Sequence, residues 1–299
     1  MSATPRFGTV VTAMVTPFLP DGSLDLPGAA TLARWLVDQG NSGLVLAGTT
    51  GESPAMTDDE KVALFEAVRE AVDVPLLAGT TTSDTHHSVA LTERALATGV
   101  DGILVVCPYY SRPSQAGIEA HVRAVAEAAD GLPVAVYDIP VRTGRKIETE
   151  TLLRLFHEVP NVVALKDAAG NPGETARVVA AAPDGFELYS GDDSMTLPLL
   201  AVGAVGVIGV ATAWTAPQHV ELFRRFADGD VEGARSVNAG MLESFAFETS
   251  LEAPNPVPTK AMLRVLGLPA GEPRLPMGPT PDGLEAQARE VAKRLGLLE

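Results

Sequence analysis

The 299 residues are 46% hydrophobic and carry 22 Lys and Arg against 38 Asp and Glu, a formal net charge of −16. A field of that sign repels nucleic-acid phosphates and anionic lipid, and it leaves any anionic small molecule dependent on a local cluster of cations. The single cysteine, Cys107, excludes an internal disulfide and a cysteine-built metal site, as suits a reducing cytoplasm.

No secretory signal is readable at the N-terminus. The longest apolar run, from Ala201 to Ala213, is broken by glycines and is shorter than the ~20 residues a membrane helix requires. The expectation is a soluble cytoplasmic protein with no nucleic-acid or membrane partner.

In chain order, Val10 to Val15 reads as a strand ended by Thr16-Pro17-Phe18. After the turn Pro20-Asp21-Gly22, apolar residues recur at helical spacing from Leu26 to Leu36, with Gly40 as the stop. Gly43 to Gly48 is the second strand, and Thr57 with Glu60 forms a capping box for the helix that follows. Further strands are expected at about 74–78, 102–106, 133–138, 162–167, 186–191 and 205–210. Helical segments lie between them, including Val89–Ala97, Ile118–Ala129, Leu152–Val159 and Thr175–Ala182.

Eight apolar strands alternating with helices predict parallel strands buried on both faces. An open doubly wound sheet could be written from the same alternation. Eight units in about 225 residues, with no nucleotide fingerprint after the first strand, favour a closed (β/α)8 TIM barrel. Gly203, Gly206 and Gly209 do not match a GxGxxG loop and instead predict close packing in the last strand. Beyond Asp228-Gly229-Asp230 only helices are expected, at Val231–Phe247, Thr259–Leu266 and Pro281–Leu297. The division is therefore a catalytic barrel over 1–228 and a C-terminal helical appendage over 229–299.

Barrel chemistry sits at the C-terminal ends of the strands. The second strand delivers Thr49, Thr50 and Glu52 there, the fourth the tyrosines of 109–110, the fifth Tyr137 and Asp138 with Arg142 beyond, the sixth Lys166 and Asp167, and the seventh Gly191 to Asp193. Of the five lysines, Lys61, Lys260 and Lys293 fall on expected helices and Lys146 on a loop, so only Lys166 stands at a catalytic rim. Alternation on the sixth strand puts Val162, Ala164 and Lys166 on one face and Val163, Leu165 and Asp167 on the other. Ala135 and Tyr137 repeat the pattern next door, so an amine and a phenol are expected to share a pocket.

A lysine attacks a ketone as the free amine, and an apolar pocket lowers its pKa toward that form. Carbinolamine formation and collapse also need a group that gives and takes a proton, for which Tyr137, Thr49 and a tyrosine of the 109–110 pair are candidates. A metal site is not expected. The five histidines fall on or beside helices with no HxH or HExxH spacing, and Asp192 and Asp193 read as helix caps.

At these residues the chain resembles the dihydrodipicolinate synthase / N-acetylneuraminate lyase family of pyruvate-dependent class I aldolases. The resemblance covers essentially the whole length and rests on GTTGES (48–53), PYYSRPSQ (108–115), VYDIPVRTG (136–144), ALKDAAGN (164–171), SGDD (190–193) and NPVPTK (255–260). It implies that Lys166 forms the imine with pyruvate and that Tyr137 transfers protons in a relay with Thr49 and with Tyr110 of a neighbouring subunit. Thr50 would hold the pyruvate carboxylate, Gly191 and Ile208 would line the pocket, and Arg142 would grip the carboxylate of L-aspartate-4-semialdehyde.

The same resemblance implies a homotetramer built as a dimer of dimers, no cofactor beyond the covalent imine on Lys166, and a role in lysine and diaminopimelate biosynthesis. A lyase for a 2-oxo sugar acid or 4-hydroxy-2-oxoglutarate is the alternative within the family, and a silent barrel binding pyruvate-like acids is the alternative outside catalysis. Asp138 departs from the asparagine of many members. Pro54, Asp58, Lys61, Ser83 and His87 match the positions at which inhibited relatives bind lysine. A cation at Lys61 and no acid at His87 predict weak or absent lysine feedback.

Overall fold

The computed structural model describes residues 4–299. Eight strands close into a barrel in sequence order, with every neighbouring pair parallel. They are β1 (Val10–Ala13), β2 (Gly43–Leu46), β3 (Leu76–Gly79), β4 (Gly102–Val106), β5 (Val134–Asp138), β6 (Val162–Asp167), β7 (Glu187–Ser190) and β8 (Gly206–Gly209). Their near-continuous apolar runs follow from burial on both faces.

The outer ring is α1 (Leu26–Asp38), α2 (Asp58–Ala71), α3 (Thr85–Leu96), α4 (Gln115–Ala128), the short α5 (Pro140–Thr143), α6 (Thr149–Glu158), α7 (Pro172–Ala181), the short α8 (Thr196–Leu200) and α9 (Thr212–Ala227). The appendage contributes α10 (Val231–Phe247), α11 (Val257–Val265) and α12 (Leu284–Arg294). No helix among the described residues is long and apolar enough to cross a membrane. The expected Thr57–Glu60 capping box is present at the start of α2, each side chain satisfying an otherwise orphaned backbone N–H.

Side chains pointing inward form a narrow core of their own, among them Val11, Val45, Leu77, Leu104, Ala164 and Ile208. Phe7 closes its lower end, its N–H donating to the Tyr189 hydroxyl at 3.2 Å with the two rings 5.9 Å apart. The interior is therefore filled from below, and only the upper rim is open to chemistry.

β6 departs from strict alternation. Its ladder with β5 pairs Val134 with Val162 but Ala135 with Ala164, so Val163 is an extra residue in the strand. The bulge moves Val162 into the outer core with Leu165, while Val163 packs against the inner one. The expectation that Val162 shares a face with Ala164 is thus corrected. From Ala164 onward the alternation holds, and Tyr137 pairs in register with Lys166.

Of the three spaced glycines, Gly206 and Gly209 lie in β8 against neighbours that leave no room for a Cβ, whereas Gly203 occupies the preceding turn at φ +109°. Cys107, just past β4, is fully buried, and burial pushes its thiol up to about 12.

Candidate active site

At the upper rim a cavity of about 340 Å³ opens among the strand ends, the loop after β5 and the segment joining α10 to α11. Lys166, 4% exposed, enters it from β6. Its ammonium lies 4.1 Å from the centroid of the Tyr137 ring on β5. Small neighbours make room for it. A Cβ on Gly191 would lie 2.9 Å from Lys166 Cγ, so glycine at the end of β7 permits the lysine to lie flat across the strand.

Burial, opposed by Asp193 and aided by Arg142, lowers the Lys166 pKa to about 7. The amine is therefore substantially unprotonated at neutral pH, the form that adds to a carbonyl. Burial likewise raises the Tyr137 phenol well above its usual range, so it stands as a neutral hydroxyl able to donate.

Thr49 lines the cavity and, with Tyr137 and Tyr109, also walls a smaller space of about 50 Å³ beside it. Thr50 is buried, its Oγ1 accepting from Asn255 Nδ2 at 2.9 Å. Arg142 stands at the mouth, with Nη2 donating to the Asn255 carbonyl at 3.2 Å. Gly191 lines the cavity as expected.

Two expected residues do not join this group within the chain. Ile208 is fully buried in the inner core and does not line the cavity, because it sits one layer below the rim, where Val210, two residues further along the same face, takes the lining position. Tyr110 is 93% exposed at φ +68° and points away from its own barrel, leaving Tyr109 as the tyrosine beside Thr49 and Tyr137.

The flanking acids separate in role. Glu52 lies outside the cavity. Its left-handed backbone, φ +58°, sends the carboxylate beneath α11, where it pairs with Lys260 at 2.6 Å and accepts the Arg274 N–H at 2.8 Å. Asp138 and Asp167 point outward between β5, β6 and α7. Asp138 accepts the Ile147 N–H at 3.2 Å with Lys146 Nζ 3.7 Å away, and burial raises it to about 6. Asp167 is held by the Ala169 N–H and the Thr175 hydroxyl. Asp192 caps the turn after β7 as expected, but Asp193 does not cap; it turns inward to accept the Val210 N–H at 2.7 Å. Among the described residues, no group of three His, Cys, Asp or Glu is arranged to hold a metal ion.

Glu248, Leu251 and Asn255 also wall the cavity and come from the appendage. Sequence patterning gave no reason to place the first two there; only the NPVPTK segment pointed to the third.

The dihydrodipicolinate synthetase family model matches residues 6–295. A protein of Moorella thermoacetica named 4-hydroxy-tetrahydrodipicolinate synthase is 47% identical over 298 residues, covering 98% of this chain and 100% of that one. One of the same name from Acidothermus cellulolyticus is 49% identical over 291 residues, covering 96% and 90%. Among solved structures, the dihydrodipicolinate synthase of Cyanidioschyzon merolae with lysine bound superposes with a TM-score of 0.94 at 40% identity, covering 99% of this chain and 100% of that one.

Proposed function

The chain belongs to the dihydrodipicolinate synthetase family, and from that premise we propose that its site condenses pyruvate with L-aspartate-4-semialdehyde to give 4-hydroxy-tetrahydrodipicolinate. The observation that carries the chemistry is Lys166, a buried amine lowered to about 7 with its ammonium 4.1 Å from the Tyr137 ring. The neutral amine adds to the pyruvate ketone, and the carbinolamine loses its oxygen as water once that oxygen has been protonated, leaving an iminium on Lys166. In this scheme Tyr137 and Thr49, which line the same cavity, carry these protons with a tyrosine of the 109–110 pair.

Loss of a methyl proton converts the iminium to an enamine, whose carbon attacks the aldehyde. The resulting alkoxide takes up a proton, and the product's own amine then displaces Lys166 as the ring closes. These are proton transfers and exchanges of C–N and C–C bonds, so the covalent imine is the only cofactor-like species the scheme uses. Thr50 faces the pyruvate carboxylate. Arg142, a charged fork at the mouth braced by the Asn255 carbonyl, takes the acceptor carboxylate and supplies the local cation that a net charge of −16 makes necessary.

Borohydride reduction with pyruvate, followed by mass spectrometry, tests the imine: a pyruvate-derived mass on Lys166 is expected, and its absence would sink the scheme. Turnover with aspartate semialdehyde against 2-oxo sugar acids and 4-hydroxy-2-oxoglutarate tests the acceptor, and Arg142→Ala should impair only the first.

The exposure of Tyr110 supports its use by a neighbouring subunit, and we extend this to a cytoplasmic homotetramer built from dimers. Lysine feedback is expected to be weak, because Asp58 is already engaged by Lys61 at 3.5 Å and His87 at 2.7 Å. Strong inhibition by millimolar lysine would overturn that expectation.

A further inference from the structure

The two side chains assigned above to substrate carboxylates, Thr50 and Arg142, meet at one residue of the appendage. Asn255, ahead of α11, is 5% exposed, and burial of so polar a residue requires partners for its groups. Its backbone N–H donates to Thr249 Oγ1 at 3.3 Å, and its carbonyl accepts from Arg142 Nη2 at 3.2 Å. In the side chain, Oδ1 accepts from Thr259 Oγ1 at 2.9 Å, in the first turn of α11, and Nδ2 donates to Thr50 Oγ1 at 2.9 Å.

These contacts have a direction. A carboxamide donates only from nitrogen and accepts only at oxygen, whereas a threonine hydroxyl does either. With Thr259 donating to Oδ1, Nδ2 is the group turned to Thr50, and it occupies a lone pair of that hydroxyl. Asn255 is the only hydrogen-bond partner of the Thr50 hydroxyl among the described residues, so the hydroxyl proton is not spent on the protein. Thr50 is itself 4% exposed and lines the cavity, where a hydroxyl free to donate suits an anionic oxygen. An acceptor in place of Nδ2 would reverse the bond and take that proton.

We propose that Asn255 is a positioning residue for pyruvate: its carboxamide makes Thr50 an acceptor toward the appendage and thereby a donor to the pyruvate carboxylate. The inference rests on the pyruvate reading above. The second contact of Asn255 separates the two substrates, because Arg142 is braced by the backbone carbonyl, which a side-chain substitution leaves in place.

The test is a double-mutant cycle read in the KM of each substrate. Asn255→Ala removes one neutral hydrogen bond and should raise the pyruvate KM about fivefold, with the aspartate-semialdehyde KM within about twofold of wild type. Thr50→Val removes a charge-assisted donor and should raise the pyruvate KM about thirtyfold. In that background Asn255→Ala should add less than about twofold, since the hydroxyl through which it acts is gone. Asn255→Asp keeps the shape and the Thr259 contact but accepts the Thr50 proton, so its pyruvate KM should exceed that of Asn255→Ala. Effects that multiply in the cycle, equal rises in both KM values, or an Asp variant that matches wild type overturn the proposal. Borohydride trapping of the wild-type enzyme keeps the two readings apart: a missing pyruvate adduct sinks the imine and this inference with it, whereas an adduct with the wrong KM pattern sinks this inference alone.

Discussion

Burial takes from Lys166 its ordinary proton affinity, and the same burial is a cost in stability. With a value of about 7 in the fold against 10.5 for a free lysine, the folded chain binds fewer protons than the unfolded chain between those limits. Stability contributed by this group therefore rises with pH across that window and is lowest at and below neutrality. Lys166→Met should raise Tm at pH 6.5, with a gain that shrinks toward pH 10.5, while abolishing the borohydride adduct; equal gains at both pH values would show that burial is not the cause. Asp138 has the opposite sign of shift and the same sense of cost. Raised to about 6 from 3.8, its carboxyl penalises the fold above pH 6 and not below 3.8. Asp138→Asn should thus stabilise by about 1–2 kcal/mol at pH 7.5, with no gain near pH 3.5, in denaturant titrations at the two pH values. At this scale Lys166 was legible because only one of five lysines stood at a strand end. Glu248 was not, because nothing in a loop 82 residues downstream announces that its carboxyl will meet Asp193 (55 residues before it) at the amides of Val210 and Ala211.

Among elements, the strands and most helices follow from apolar period and turn chemistry, and α10 begins and ends at the residues that its pattern and the Asp230 cap indicate. The bulge in β6 escaped because period-2 reasoning has no local marker for one extra valine in Val162-Val163. Glu52 was misplaced for a related reason. Position along the chain delivers it to the rim, but a left-handed residue redirects it. Its ion pair with Lys260 joins the turn after β2 to α11, with both side chains fully buried and Lys260 and Arg274 lying 4.2 and 4.1 Å from the Phe18 ring centroid. Removing one partner strands a buried charge, so Glu52→Ala should destabilise by about 3–5 kcal/mol, whereas the double change Glu52→Gln with Lys260→Met should recover much of that loss in urea titrations.

For the molecule as a whole, eight strand signals were enough to close the barrel, while the contribution of the appendage to the cavity was hidden. Asn255 meets Thr50 across 205 residues of sequence, and such contacts leave no periodic trace. We propose the division at residue 228 as a boundary of architecture and not of independent folding. A chain ending there loses Glu248 and Asn255 and uncovers Trp214, whose indole N–H donates to Ser244 of α10 at 3.0 Å. It should fail to unfold cooperatively in a thermal melt. Sharing of sites between subunits is tested by mixing Lys166→Ala with Tyr110→Phe after subunit exchange, since each mixed dimer regains one intact site. Activity should return to roughly a quarter of wild type if Tyr110 crosses the interface, and should stay at the sum of the parents if it does not. The sealed thiol of Cys107 makes such experiments simpler to watch. A chain whose only sulfhydryl is buried and held up at about 12 gives a maleimide dye nothing to react with at neutral pH. Leu251→Cys, at a fully exposed position, would then be the sole attachment point, and fluorescence could follow movement at the cavity mouth without first removing a native cysteine.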